Sequence, residues 1–237
     1  MKTFINLSSK TSSNLDDRIY KNALQLKKDA LLIAQKRSSH SSATSLLVLS
    51  SEELIKAILV LLHSKGYEVY KIKGAKKFFS DHKIRHQIAQ LVEMGVGFIN
   101  SIEIWEIEKS KQKLFNTKYK LLNTVLNGFL DLAEASKPLM QSIDRIKKIE
   151  EFNTLKNNGL YVDYRDELIY PQKSIGKEKF EETKLLIDRM FSFYKGVRIL
   201  FHPSLVKHIQ QKEIDKHQED LKFFINDALK GFEFDRI

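Results

Sequence analysis

Turn-forming residues are scarce in this chain: nine glycines and three prolines serve 237 residues. A β-sandwich or barrel needs a turn about every 8–12 residues and could not be built on that supply. Helices need few turns, so the chain reads as all-α. A hydrophobic content of 42% supplies a core, and the length suits one large domain or two small ones. Cysteine is absent, which removes disulfide frameworks, thiol catalysis, Cys-ligated zinc and iron–sulfur clusters.

Forty Lys and Arg face thirty Asp and Glu, a formal charge of +10. Half of that excess lies between Lys65 and Arg85, where seven cations meet only Glu68 and Asp81. Lys71, Lys73, Lys76, Lys77, Lys83 and Arg85 are therefore the candidate RNA-binding surface, because clustered cations attract polyanions. The alternative is a lysine-rich composition without a specific partner. The N-terminus lacks an apolar run of signal-peptide length. The most apolar window, Leu46 to Leu62, carries Glu52, Glu53 and Lys56 in its middle, which a membrane span would disfavour. It reads as a buried helix, and the protein as soluble and cytoplasmic.

Apolar spacings of three and four predict helices over residues 14–37 and from the Ser-rich break at 38–42 to Ser64, with Gly66 just past the end. Residues 67–79 read as a short strand or an ordered loop. Ser80 or Asp81 caps a third helix ending near Gly95. Further helical patterns cover residues 98–127, 138–156 (with Pro138 near its start), 175–201 and 204–230. Between Asn157 and Lys173 lies a non-helical segment of a length that is more often functional than idle. The chain divides into a helical domain over 1–202 and a charged C-terminal helix over 203–237, packed on that domain or on a partner protomer.

Three segments carry groups with chemical potential. On the second helix, Leu47, Leu54, Ile55, Ile58 and Leu62 share one broad side while Glu53, Lys56 and His63 lie opposite. The plain reading is a wet face, with Glu52 and Lys56 as an i,i+4 ion pair. On the third helix, His82 and His86 stand one turn apart. Such a pair binds a divalent metal only with further ligands, and none is placed locally, so no metal site is expected. The imidazoles, with Lys83 or Arg85, then meet RNA phosphates or solvent. The third segment, Lys156-Asn-Asn-Gly-Leu-Tyr-Val-Asp-Tyr-Arg, offers a sharp turn at Gly159. Tyr161, Asp163 and Tyr164 add hydroxyls, a carboxylate and stacking faces; alternatively the tyrosines pack on the bundle. No phosphate-binding Gly-rich loop, nucleophile elbow or His-Glu-x-x-His occurs, so no cofactor is expected.

Taken in order, Ser-Glu-Glu-Leu-Ile-Lys-Ala (51–57), His-Lys (82–83) and Lys-Asn-Asn-Gly-Leu-Tyr-Val-Asp-Tyr (156–164) with Pro171 downstream resemble the AbiV-type abortive-infection proteins of the HEPN superfamily. Tyr20-Lys-Asn-Ala-Leu-x-Leu fits the first helix of that family. The resemblance spans roughly residues 15–200, and Gly-Leu-Tyr-Val-Asp-Tyr is its most specific part. It implies a HEPN-like all-α bundle that pairs into a homodimer and acts in anti-phage defence, under a phage-encoded activator or a cognate inhibitor. Many HEPN proteins are metal-independent ribonucleases that use an Arg followed, after four to six intervening residues, by a His. Here Arg198 and His202 have three between them, and the nearest equivalent is Lys156-Asn157-x3-Tyr161.

Metal-free RNA cleavage needs a base for the 2′-OH, an acid for the leaving 5′-oxygen and a cation for the phosphorane charge. The candidate catalytic set is therefore Lys156 (charge), Asn157 (phosphate orientation), Tyr161 (acid or donor), His82 (base) and Asp163, with Glu53 and Lys56 in support. The expected function is a phage-defence ribonuclease that shuts down translation. The alternative is a non-catalytic helical dimer that grips RNA, a ribosome or a phage protein.

Overall fold

The structure is a computed structural model that describes residues 3–72, 74–109 and 133–231. After a helical turn at Ser9–Ser12, α1 runs over Leu15–Arg37 and α2 over His40–Ser64. Asp16 and Asp17 in the first turn of α1 and Lys36 and Arg37 in its last complement the helix dipole. Ser38, at φ 52°, turns the chain straight into α2. Ala23 and Ala30, seven residues apart on one face, are fully buried. Their small side chains let α2 lie close enough for Ser50 Oγ to donate to the Ala23 carbonyl at 2.7 Å.

Helix α2 is the central element and packs against α1 on one side and later helices on others. Two 3-10 turns follow, Val69–Lys71 and Ala75–Phe78, burying Val69, Ala75 and Phe78. Among the described residues, the segment expected as a strand or ordered loop is thus an ordered connection without a strand. Asp81 then caps α3, His82–Lys109, its Oδ1 accepting the Lys83 and Ile84 amides at 2.8 and 3.4 Å. The expected stop near Gly95 does not occur: α3 continues through both Gly95 and Gly97 while packing along α4. Of the pattern over 98–127, residues 110–127 lie outside the described residues.

Helix α4 covers Ala133–Glu150 and α5 covers Phe152–Asn158. Pro138 therefore falls in the second turn of α4 rather than at a helix start. The expected non-helical stretch contains a β-hairpin, β1 Asp163–Arg165 and β2 Glu167–Ile169, with Asp166 at φ 62° in its turn. A helical turn at Pro171–Ser174 leads into α6, Lys177–Leu200. Phe180, Thr183, Ile187, Met190, Tyr194 and Val197 line its buried face, the i, i+3, i+4, i+7 stripe of a core helix. Tyr194 Oη donates to the buried Asp16 at 2.8 Å and its ring stacks on Tyr20, fixing α6 to α1.

The chain closes with α7, Gln211–Gly231. Ile214, Leu221 and Ile225 are buried, and Tyr67 Oη donates to the Gln218 carbonyl at 3.0 Å while Gln218 Nε2 donates to the Leu200 carbonyl at 3.0 Å. These contacts place α7 on the body of its own chain.

A buried carboxylate ties the far side of the bundle. Glu93 of α3 is 2% exposed and accepts from Arg189 Nε and Nη2 of α6 at 3.1 and 2.9 Å. It also accepts from Ser142 Oγ of α4 at 3.2 Å and from Arg145 Nε. Three helices thus meet on one acid. Among the described residues no helix is long and apolar enough to cross a membrane.

Candidate functional site

A second buried acid, Glu52, gathers groups that were far apart in the sequence. It sits mid-way along α2 and is 3% exposed. Its Oε2 faces His82 Nδ1 and, at 3.1 Å, Arg85 Nη2. Its Oε1 accepts from His86 Nε2 at 3.2 Å and from Lys156 Nζ at 3.1 Å. The first turn of α3 supplies His82, Arg85 and His86 because spacings of three and four put them on one face. Helix α5 supplies Lys156.

Burial alone would raise the Glu52 carboxyl. Hydrogen bonds from His86, His82, Lys156 and Arg85 together reverse that and hold it far below the ordinary carboxylate range. The acid is ionised at any physiological pH. Against this one carboxylate stand two basic side chains, Arg85 and Lys156.

Local packing sets the Lys156 position. Ser45 Oγ of α2 donates to the Lys156 carbonyl at 2.8 Å. Gly159 then lets α5 close on α2, since a Cβ there would stand 2.1 Å from Ser45 Oγ and 2.5 Å from the Ser41 carbonyl. Its φ of −79° is ordinary, so this glycine serves a close approach and not the sharp turn expected of it. The ring of His86 on α3 packs edge-on to Phe152 of α5.

His82 differs from its neighbours in being reachable: its side chain is 51% exposed, against 3% for Arg85, 7% for His86 and 12% for Lys156. Its Nδ1 also lies 2.8 Å from Arg85 Nη2. A guanidinium only donates and a carboxylate only accepts. The ring nitrogen between them has two choices. With a proton it donates to Glu52 and leaves the Nε2 lone pair free as a base. Without one it accepts from Arg85 and the ring presents an Nε2–H. Both states are hydrogen-bonded, which suits a group that takes up and returns a proton.

The remaining expected site residues are dispersed. Glu53 accepts from Lys56 at 2.5 Å and from Asn22 of α1 at 3.1 Å, on a side of α2 turned away from Glu52. The expected Glu52–Lys56 pair is replaced by this Glu53–Lys56 pair. The backbone carbonyl of Asn157 accepts the Leu160 and Tyr161 amides at 3.1 and 3.0 Å, closing α5. Tyr161 and Tyr164 do not pack on the bundle: they are 67% and 69% exposed. Tyr161 and Asp163 border a shallow cleft with Asn158, Arg165, Ile169 and Ser174. Asp163 is held below the usual carboxylate range by the Tyr164 amide and by Arg165.

Of the basic surface, Lys71, Lys76, Lys77 and Lys83 are exposed, and Lys71 pairs with Glu68. Lys73 lies outside the described residues. Arg85 is not part of that surface, because it turns inward to Glu52. Sequence reasoning also missed Glu52 and gave His86 only a generic place. The serines and alanines scattered around α2, with Leu49 and Val60 spaced to fall on the same side as Glu53, Lys56 and His63, were the available sign that the helix is packed nearly all round.

The model of the AbiV family, a HEPN-type domain, matches residues 12–190. The chain belongs to the AbiV family. Membership implies a role in abortive-infection defence against phage. The match takes in all five members of the Glu52 cluster and ends within α6, leaving α7 outside it. Comparison with curated proteins and with solved structures gave no match.

Proposed function

We propose that this AbiV-family chain is an abortive-infection effector that cleaves RNA without a metal, using the Glu52 cluster. The observation that carries the reading is the half-exposed His82 ring held on a buried carboxylate beside two cations. In this mechanism Glu52 accepts a hydrogen bond from the Nδ1–H of His82 and so fixes the tautomer, and the Nε2 lone pair removes the proton from a 2′-hydroxyl. The 2′-oxygen bonds to phosphorus and the bond to the 5′-oxygen breaks, giving a 2′,3′-cyclic phosphate. Lys156 stabilises the negative charge that builds on the phosphoryl oxygens, and the departing 5′-oxygen takes a proton from solvent. A divalent cation suits the cluster poorly, because Arg85 and Lys156 already occupy the positive side of its carboxylate.

The test is to incubate the pure protein with total RNA in EDTA, with and without phage lysate, and map new ends. Cyclic phosphate ends that disappear in His82→Ala and Lys156→Ala are the expected result. Unchanged cleavage in both variants would remove the mechanism. A second reading, RNA or ribosome binding without cleavage, draws on the exposure of Lys76 and Lys83 and on the pairing of Lys156 and Arg85 with Glu52. It predicts strongly salt-dependent binding with no new ends. Under either reading the effector works as a homodimer in the cytoplasm, controlled by a phage-encoded activator or a cognate inhibitor.

A further inference from the structure

Residues 160–170 turn apolar side chains outward. Leu160, Tyr161, Val162, Tyr164, Leu168 and Tyr170 are 43–69% exposed. Scattered apolar residues on a surface need no explanation, but a contiguous group marks an interaction site. Within the hairpin Tyr164 pairs with Leu168 across the ladder, so both project from one face. The sheet has two strands, and among the described residues neither outer edge has a strand partner. Unpaired edges are templates for another extended chain.

Charge selects the kind of chain. Residues 160–170 contain Asp163, Asp166 and Glu167 against Arg165 alone, and Arg165 is bonded to Asp163 at 2.9 Å. Asp166 and Glu167 at the tip are left to attract a cation. This island is negative in a chain of +10, so it would repel the RNA backbone that the exposed lysines attract. A second copy fits no better. Hairpin-to-hairpin pairing brings acids against acids, and the described part of the basic surface is built from 3-10 turns and a helix start.

We propose that the β1–β2 hairpin is a docking surface for a cationic segment of another protein, which adds as an extended strand. That strand covers Tyr164 and Leu168 and sets Lys or Arg against Asp166 and Glu167. The inference goes beyond the RNA reading and does not depend on it.

The experiment uses the full chain and a labelled peptide of alternating Lys and Val, followed by fluorescence anisotropy. Controls are the same peptide with Glu for Lys, an N-methylated version that cannot pair as a strand, and a single-stranded RNA oligonucleotide. The Lys–Val peptide is expected to bind at least about tenfold more tightly than either peptide control. A similar loss is expected in the chain variants Tyr164→Ser/Leu168→Ser and Asp166→Asn/Glu167→Gln. These positions are exposed, and thermal melting checks that the variants fold. Peptide affinity indifferent to both variants, or to N-methylation, overturns the proposal. So does RNA affinity that falls with them, or a dimer seen by sedimentation that Tyr164→Ser/Leu168→Ser disperses. RNA cleavage by the same variants reports on the Glu52 cluster separately.

Discussion

Glu52 on α2 and Glu93 on α3 are 3% and 2% exposed, and each collects cations from neighbouring helices. Their company differs. Glu93 holds two arginines and a serine hydroxyl, none of which changes charge near neutral pH. Glu52 holds an arginine, a lysine and two imidazoles, one of them half-exposed. Histidine is the side chain whose ordinary range straddles neutrality. Both acids tie three elements of the bundle together, but only one carries groups able to move a proton and reach a ligand. Burial and ion pairing are common to the two and say little about function. The kind of partner separates scaffold from site.

The largest expected effects should not distinguish the two. Glu52→Ala leaves Arg85 and Lys156, and Glu93→Ala the half-buried Arg145 and Arg189, without their buried carboxylate, and loss of one side of a buried pair costs about 3–5 kcal/mol. Both variants should melt on the order of 10 °C lower in calorimetry. A loss confined to one of them would show that the other pairing contributes little. Acid sharpens the Glu52 side. Its carboxyl is depressed in the folded state, so its stabilisation is complete above the unfolded carboxylate value of about 4.3 and falls away as pH drops below it. Glu52→Gln should flatten that part of the stability–pH curve in chemical denaturation. A curve as steep as the parent's would assign acid sensitivity elsewhere.

Activity is where the clusters should part. His82→Ala removes the proposed base from an exposed position and should lower RNA cleavage by about 10²–10⁴-fold with little change in melting. Arg189→Ala weakens the Glu93 cluster and should lower melting while cleavage per folded molecule stays within a few-fold. End-mapping at a temperature where both variants are folded reads this directly. The opposite pattern would move the site to Glu93.

This contrast was only half legible in the sequence. His82 and Lys156 stood out by residue type, and the structure brings both to one carboxylate. That carboxylate was misread because α2 was treated as having one wet side. On a helix packed nearly all round, neighbouring positions 52 and 53 differ by 100° and so by environment: one meets α3 and α5, the other Asn22 on α1. The meeting of Glu52 and Lys156, 104 residues apart, is a tertiary fact with no local signature. The helices themselves were readable from periodicity, except that the pattern over 138–156 is broken at Glu151, the last helix starts at Gln211 and not at 204, and Gly95 does not end α3. Two glycines weaken a helix by about 1 kcal/mol each, yet packing along α4 carries α3 through them.

Glycines give a smaller test. Gly159→Ala forces a Cβ against Ser45 and the Ser41 backbone, an overpacking that costs about 1–3 kcal/mol. It should also reduce cleavage, since relief requires α5 to move away and take Lys156 with it. Gly196 lies on α6, the helix that supplies Arg189, with nothing within 4 Å of a built Cβ. Gly196→Ala should stabilise by about 0.5–1 kcal/mol through helix propensity and leave cleavage alone. Equal effects on cleavage would mean that the α5–α2 contact does not position the lysine.

The smallest change asks the same question with the least disturbance. Ser45 and Ser142 are both fully buried. Ser45 Oγ donates to the Lys156 carbonyl at 2.8 Å, while Ser142 Oγ donates to Glu93 itself at 3.2 Å. Replacing either by Ala removes that donated hydrogen bond, and Ser142→Ala also removes the one its Oγ accepts from Arg145 Nη2 at 3.1 Å, so Ser45→Ala should cost about 1 kcal/mol of stability and Ser142→Ala at least as much. If the difference between the clusters lies in chemistry and not in packing, the cheaper change has the larger consequence for activity. Ser45→Ala loosens the end of α5, so cleavage should fall several-fold while RNA binding through Lys76 and Lys83 persists. Ser142→Ala should leave both intact. A cleavage rate that follows melting temperature alike in the two variants would mean that Glu52, like Glu93, is a rivet of the bundle, and would return the chain to the binding reading.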